Sequence, residues 1–142
     1  MTRQEYLDIY DVVGAALEVY NTLGRGMSEP IYQEAFEMEL HLRNMQAERE
    51  KELHLKYKGV EMKKTYYADF YYKGIVVELK AVDKILSEHR AQLFNYMRIA
   101  EQDRGVLINF GEPSLRAERY LFDEEKSRFV LISKDNYKQY ID

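Results

Sequence analysis

Residues 65–80 confine the fold more than any other stretch of this chain. They read Thr-Tyr-Tyr-Ala-Asp-Phe-Tyr-Tyr-Lys-Gly-Ile-Val-Val-Glu-Leu-Lys. Two runs rich in aromatic and β-branched residues flank Lys73-Gly74, the signature of a hairpin closed by a two-residue turn. Side chains alternate faces along a strand, so Glu78 and Lys80 share one face of the second strand, and Ile75, Val77 and Leu79 share the other. Asp69 shares a face of its own strand with Tyr67 and Tyr71. Pairing across the turn would bring two carboxylates and an ammonium together beside an apolar sheet. Unpaired charge is costly there, and a bound divalent cation would relieve the cost.

The segments around this hairpin build a mixed sheet with helices. Residues 84–102 lack Gly and Pro and read as a helix, and Gly105 to Phe110 reads as a short apolar strand closed by Gly111. A helix between strands 75–80 and 105–110 implies a right-handed crossover joining two parallel strands. Upstream, residues 3–22 carry two adjacent apolar stripes at helical spacing: Tyr6, Tyr10, Val13, Leu17 and Tyr20, and Ile9, Val12, Ala16 and Val19. Leu-Gly-Arg-Gly at 23–26 breaks that helix. Ser28 can cap a second one over 29–44, with Pro30 in its first turn and Ile31, Ala35, Met38 and Leu42 as its apolar face. Residues 50–58 alternate as a strand, and 115–122 and 129–132 are further strands. The resulting order is α-α-β-β-β-α-β with a β-rich tail, an α/β (α+β) class, in one domain over 1–142.

Composition narrows the chemistry. There is no Cys among the 142 residues, which excludes disulfides, zinc–thiolate sites and a cysteine nucleophile. No run of 18 apolar residues and no export pattern is present, so a cytoplasmic protein with no membrane association is expected. The net charge of −4 argues mildly against a dedicated nucleic-acid binder, but the charge is unevenly spread. Residues 1–40 hold two Arg and eight Asp/Glu, whereas the rest holds 19 basic and 17 acidic groups. A phosphate-facing surface should therefore lie beyond residue 40.

Three constellations carry candidate chemistry. Asp69 and Glu78 offer the hard oxygen ligands that Mg²⁺ prefers, and Lys80 could orient or deprotonate a water, or steady transition-state charge. A solvated Glu–Lys pair is the alternative reading, but Ile-Val-Val-Glu-Leu-Lys looks like a buried strand, where free charges are rare. His89, Gln92 and Tyr96, spaced by three and four, form one polar stripe on a helix; such a stripe is also an ordinary solvated face. Glu29 and Tyr32 follow Gly26 at the start of the second helix, where an acid is favoured by the helix dipole without any function. Lys56, Lys58, Lys63 and Lys64 make a basic segment that reads as a phosphate path or as a solvated strand face.

These motifs, in this order, resemble the GxxExxY protein family of the PD-(D/E)XK nuclease superfamily. The matching residues are Gly26-Met-Ser-Glu29-Pro-Ile-Tyr32, Ala-Asp69, Val-Glu78-Leu-Lys80-Ala, His89-x-x-Gln92-x-x-Asn95-Tyr96 and Leu-Ile-Asn109-Phe110-Gly111. The resemblance covers roughly residues 5–122. It implies a restriction-endonuclease-like core, with Asp69 and Glu78 as metal ligands and Lys80 as the catalytic lysine. Glu29 would be the acid that the first core helix often supplies, and Gln92 and Tyr96 would match the Q-x-x-x-Y pattern of RecB-like nucleases. Ala68 stands where the motif has proline.

The expected function is a Mg²⁺- or Mn²⁺-dependent nuclease hydrolysing phosphodiester bonds, in DNA ahead of RNA. Asp69, Glu78, Lys80 and Glu29 would form the catalytic set, with Gln92, Tyr96, His89 and Tyr32 at the substrate. The alternative is a module on the same fold that binds nucleic acid or protein without turnover. A chain this small would need a homodimer or another partner to cut both strands.

Overall fold

The computed structural model describes all 142 residues. The helices are α1 (Arg3–Leu23), α2 (Glu29–Leu42) and α3 (Ser87–Ile99). The strands are β1 (Glu48–Tyr57), β2 (Val60–Tyr72), β3 (Ile75–Lys80), β4 (Arg104–Asn109), β5 (Arg116–Asp123) and β6 (Arg128–Ile132), and a 3₁₀ turn covers Tyr137–Tyr140. All six strands form one sheet in sequence order. Only β3 and β4 are parallel, joined through α3; every other neighbouring pair is antiparallel. This is the mixed, helix-flanked α+β architecture expected from the sequence.

The central parallel pair is covered on both faces, as parallel strands usually are. All six residues of β4 and five of six in β3 are buried. On one face, Ile75, Val77, Leu79, Val106 and Ile108 pack against Ile9, Val12 and Val19 of α1 and against Tyr32, Phe36 and Leu40 of α2. On the other, Val76 and Leu107 meet Leu93 and Met97 of α3. The expected apolar face of α2 is therefore rotated. Tyr32, Phe36 and Leu40 are buried, while Ile31, Met38 and Leu42 are exposed. Two apolar sets lie about 100° apart on this helix, and the set with two aromatic rings buries more apolar area. In α1, Tyr10 and Leu17 are likewise exposed.

Local chemistry sets the element ends. Thr2 and Glu5 close a reciprocal capping box at the start of α1. Lys73 and Gly74 both have positive φ, at 47° and 82°, as a tight two-residue hairpin turn requires. Lys58 and Gly59 repeat that geometry, at 50° and 80°, so β2 begins at Val60 and not at 65. Helix α3 begins at Ser87, not 84, because the segment after β3 is held to the sheet first. Asn109 is fully buried: its Oδ1 accepts from the Val82 and Gly111 N–H groups, and its Nδ2 donates to the Val82 carbonyl. Gly111 lets that backbone approach, since a Cβ there would stand 2.2 Å from the Val82 carbonyl oxygen.

That contact yields a test. Gly111→Ala should push the Val82 backbone away and cost about 1–3 kcal/mol in denaturant unfolding, the usual range for forced overpacking. A variant as stable as the parent would contradict the close packing of the segment at 81–86 on β4.

Candidate active site

The pairing of β2 with β3 stops at Phe70–Val77, and the next two positions exchange different bonds. The Asp69 N–H donates to Glu78 Oε1 at 2.9 Å, and Asp69 Oδ2 accepts from the Leu79 N–H at 2.8 Å. Each carboxylate thus takes the place of a ladder carbonyl of its own strand and accepts from an N–H of the other. The irregularity extends to β1. Arg49–Phe70 and Lys51–Ala68 pair, but Glu50, with φ of 53°, and Asp69 fall between them unpaired. Strict alternation therefore fails at Asp69: Tyr66 and Ala68 pack on the α3 side, whereas Phe70 and Tyr72 pack on the α1/α2 side. The expected common face for Tyr67, Asp69 and Tyr71 does not hold, because a local kink re-aims the strand as a bulge does. The kink still leaves Asp69 directed at Glu78.

Burial dominates the electrostatics of this pair. Glu78 is 3% exposed and Asp69 is half-buried. Desolvation, then the neighbouring Asp69 charge, pushes the Glu78 carboxyl up from 4.5 to about 9. Desolvation also raises Asp69, against the Leu79 hydrogen bond and the Lys80 charge, which lower it. Lys80 acts in the same stabilising sense on Asp69, Glu78 and Glu29. It does so without a direct ion pair, since Lys51 and Lys73 are the only lysines that form one.

Glu29, the first residue of α2, approaches from the helix end. Desolvation raises its carboxyl, Lys80 and His89 oppose the rise, and Asp69 adds to it. Five of the expected residues therefore converge from four elements: Asp69 on β2, Glu78 and Lys80 on β3, Glu29 on α2 and His89 on α3. His89 Nδ1 accepts from the Leu86 N–H at 2.9 Å, which fixes its ring at the start of α3. Gln92 Nε2 donates to the Tyr96 hydroxyl at 2.9 Å, and the Tyr96 ring meets Tyr66 of β2 at 5.9 Å. These two make a joined polar stripe that reaches β2 three residues before Asp69, but neither hydrogen-bonds the carboxylate pair. Tyr32 does not join the site. It is fully buried, stacks on Phe110 at 4.4 Å, and its hydroxyl donates to the Gly24 carbonyl and accepts from the Met27 N–H. A substrate contact from Tyr32 is thus ruled out by its position: it holds the loop that leads to Glu29.

No three His, Asp or Glu side chains come close enough to form a ready-made ligand cluster. The pair Asp69 and Glu78 nonetheless fits a hard divalent cation: two carboxyl groups crowded in a buried site, both pushed toward their neutral forms, are the donors such an ion would stabilise. Glu50, missed in the sequence, adds a further negative charge acting on Asp69. Its exposed position in an alternating strand gave no signal.

Comparison with known proteins adds the family. A family model of the PD-(D/E)XK nuclease superfamily matches residues 7–120, most of the chain. A solved structure titled "Crystal structure of SSO0001" is similar with a TM-score of 0.51 and 24% identity, over 63% of this chain and 48% of that one. This chain thus spans about half the length of that protein, and the likeness speaks for the fold alone. No curated protein matches the chain.

The raised carboxyls predict a pH signature. Asp69 and Glu78 bind protons more tightly folded than unfolded, so their contribution is full below about pH 4.5 and is lost as pH climbs toward 9. With EDTA present, the melting temperature should fall across that window, and Glu78→Gln should flatten the fall. Mg²⁺ or Mn²⁺ should raise the melting temperature most at the alkaline end. An equal decline in parent and variant would contradict this reading of the pair.

Proposed function

Because the chain belongs to the PD-(D/E)XK nuclease superfamily, we propose that it is a Mg²⁺- or Mn²⁺-dependent nuclease that hydrolyses phosphodiester bonds, in DNA ahead of RNA. The observation that carries this reading is the reciprocal Asp69–Glu78 arrangement beside Lys80. The order of Gly26, Glu29, Tyr32, Asp69, Glu78, Lys80, Gln92 and Tyr96 along the chain supports placement in the GxxExxY family within that superfamily.

Asp69 and Glu78 would hold the ion through the carboxylate oxygens not committed to backbone N–H groups. The bound ion supplies a Lewis acid that lowers the pKa of a coordinated water and offsets charge on a phosphoryl oxygen. Lys80 stands within electrostatic reach of all three carboxyls but is tied to none, so its ammonium is available to orient the attacking water or meet the growing negative charge. Glu29 and His89, at the same mouth, would tune the site and steady the water. Gln92 and Tyr96 present amide and hydroxyl groups along the approach to β2, where they would contact substrate. A second copy or another partner would supply the second cut on a duplex.

A binding module without turnover is the competing reading. Lys80→Ala separates the two. It should leave metal binding in place and reduce cleavage by about 10²–10⁴-fold, the range for a group that assists proton transfer. Glu78→Gln should weaken metal binding itself. Purified protein assayed on duplex and single-stranded DNA and on RNA, with Mg²⁺ or Mn²⁺, tests both. Nucleic-acid binding with no cleavage by the parent would establish the module instead.

A further inference from the structure

Beyond the kink at Asp69, the β1–β2 pair leaves the body of the protein. Every residue from 55 to 64 is exposed, on both strands and both faces. No third strand covers this part, because β3 pairs only with residues 70–72 of β2. The free part is thus a two-stranded ribbon closed by the Lys58-Gly59 turn. Its ladder shifts between His54 and Lys56: Leu55 of β1 faces a stretch that holds Met62, Lys63 and Lys64 on β2, which bends the ribbon and leaves two lysines outside the regular pairing.

Its charge runs against that of the whole chain. Residues 54–66 hold Lys56, Lys58, Lys63 and Lys64 against one acid, Glu61, in a protein of net charge −4. None of the four lysines forms an ion pair. Glu61 lies opposite Lys56 in the ladder, but its carboxylate sits 4.0 Å from His54 instead. Lys58 and Lys64 lie over the rings of Tyr57 and Tyr66. Between the cations stand apolar side chains with much of their surface in water, including Tyr57 at 66% and Val60 at 70% exposure. Lysines also protect a free strand edge, but edge protection does not call for exposed apolar side chains between them. A four-to-one excess of lysine over acid on a ribbon with exposed apolar groups suits a polyanion with an apolar interior.

We propose that this ribbon is a DNA-engaging arm that enters the major groove of a duplex, with its lysines on the flanking phosphates. A major groove about 12 Å wide admits a two-stranded ribbon, whereas the deep, narrow major groove of duplex RNA does not. The strand that carries the arm also carries Asp69. At about 3.4 Å per residue, Lys64 stands roughly 17 Å from Asp69 and the turn roughly 30 Å away, so an arm in the groove would set where the backbone crosses the carboxylate pair. The inference rests on the nuclease reading for its substrate but not for its measurement.

The test is equilibrium binding of a labelled duplex to the full chain in EDTA, over a range of salt concentrations. Replacing Lys56, Lys58, Lys63 and Lys64 by Gln should weaken binding at least tenfold at 0.1 M salt. It should lower the slope of log affinity against log salt by about 3–4, the value for four lost phosphate contacts. The same loss of charge at Arg3, Arg98, Lys126 and Arg128, all exposed and unpaired, should leave the slope within about one unit of the parent's; circular dichroism checks that both variants are folded. An unchanged slope in the arm variant, or an equal loss in the control, would overturn the proposal. So would a preference for single-stranded DNA or duplex RNA over duplex DNA. A parent that binds through the arm but never cleaves would end the nuclease reading and leave the arm standing; a parent that cleaves with an indifferent arm would do the reverse.

Discussion

Two carboxylates replacing backbone carbonyls at the end of a strand pair are the constraint on which the rest of this molecule turns. Asp69 bonds the Leu79 N–H, and Glu78 bonds the Asp69 N–H. The strands can separate there without leaving those N–H groups unpaired, which a buried sheet would not otherwise tolerate. The separation lets β2 run on as a free ribbon while β3 stays in the core. Burial makes the arrangement costly for ionised groups, and both carboxyls are pushed toward their neutral forms. Structure and chemistry meet in the same two carboxyl groups: one oxygen of each makes the bond that lets the sheet open, and the other is free for a cation to draw upon.

Other parts of the fold serve to hold this point still. Asn109 and Gly111 fasten the backbone at Val82, two residues past Lys80, to the end of β4. Tyr32 fastens the loop before Glu29. On β5, the buried Glu118 receives two bonds from Arg90 of α3, at 2.7 and 2.8 Å, with Arg116 and the Tyr120 hydroxyl completing its shell. Those donors hold its carboxyl down at about 2, Arg90 most of all. The result anchors the start of α3, and with it His89. Glu118 and Glu78 are thus both nearly buried acids with opposite behaviour: one is matched by arginines, the other is crowded by a second carboxyl and left short of cations.

Much of this was legible in the sequence because the signals were local. The Lys73-Gly74 turn, the apolar runs of β3 and β4, and the Gly- and Pro-free helix between them each act within a few residues. Together they brought Asp69, Glu78 and Lys80 to one place. What escaped depended on partners far along the chain. The kink at Asp69 needs Glu50 of β1 to adopt a positive φ, which nothing near Asp69 encodes. Choosing the buried face of α2 needed knowledge of Phe110 and Phe70, on which Tyr32 and Phe36 pack. The later start of α3 followed from Asn109, 27 residues beyond Val82. The Lys58-Gly59 turn was within reach, since it repeats the Lys73-Gly74 pattern; its flanks are polar, and the apolar alternation that marks a packed strand is missing where a ribbon stands in water.

The central claim is that the buried Asp69–Glu78 pair retains a proton which a divalent cation must displace. Calorimetric titration of Mn²⁺ at pH 7.5, repeated in buffers of different ionisation enthalpy, counts the protons released per ion bound. Release approaching one proton per ion, abolished in Glu78→Gln, is the predicted result; binding with no proton release, or release that persists in the variant, would contradict it.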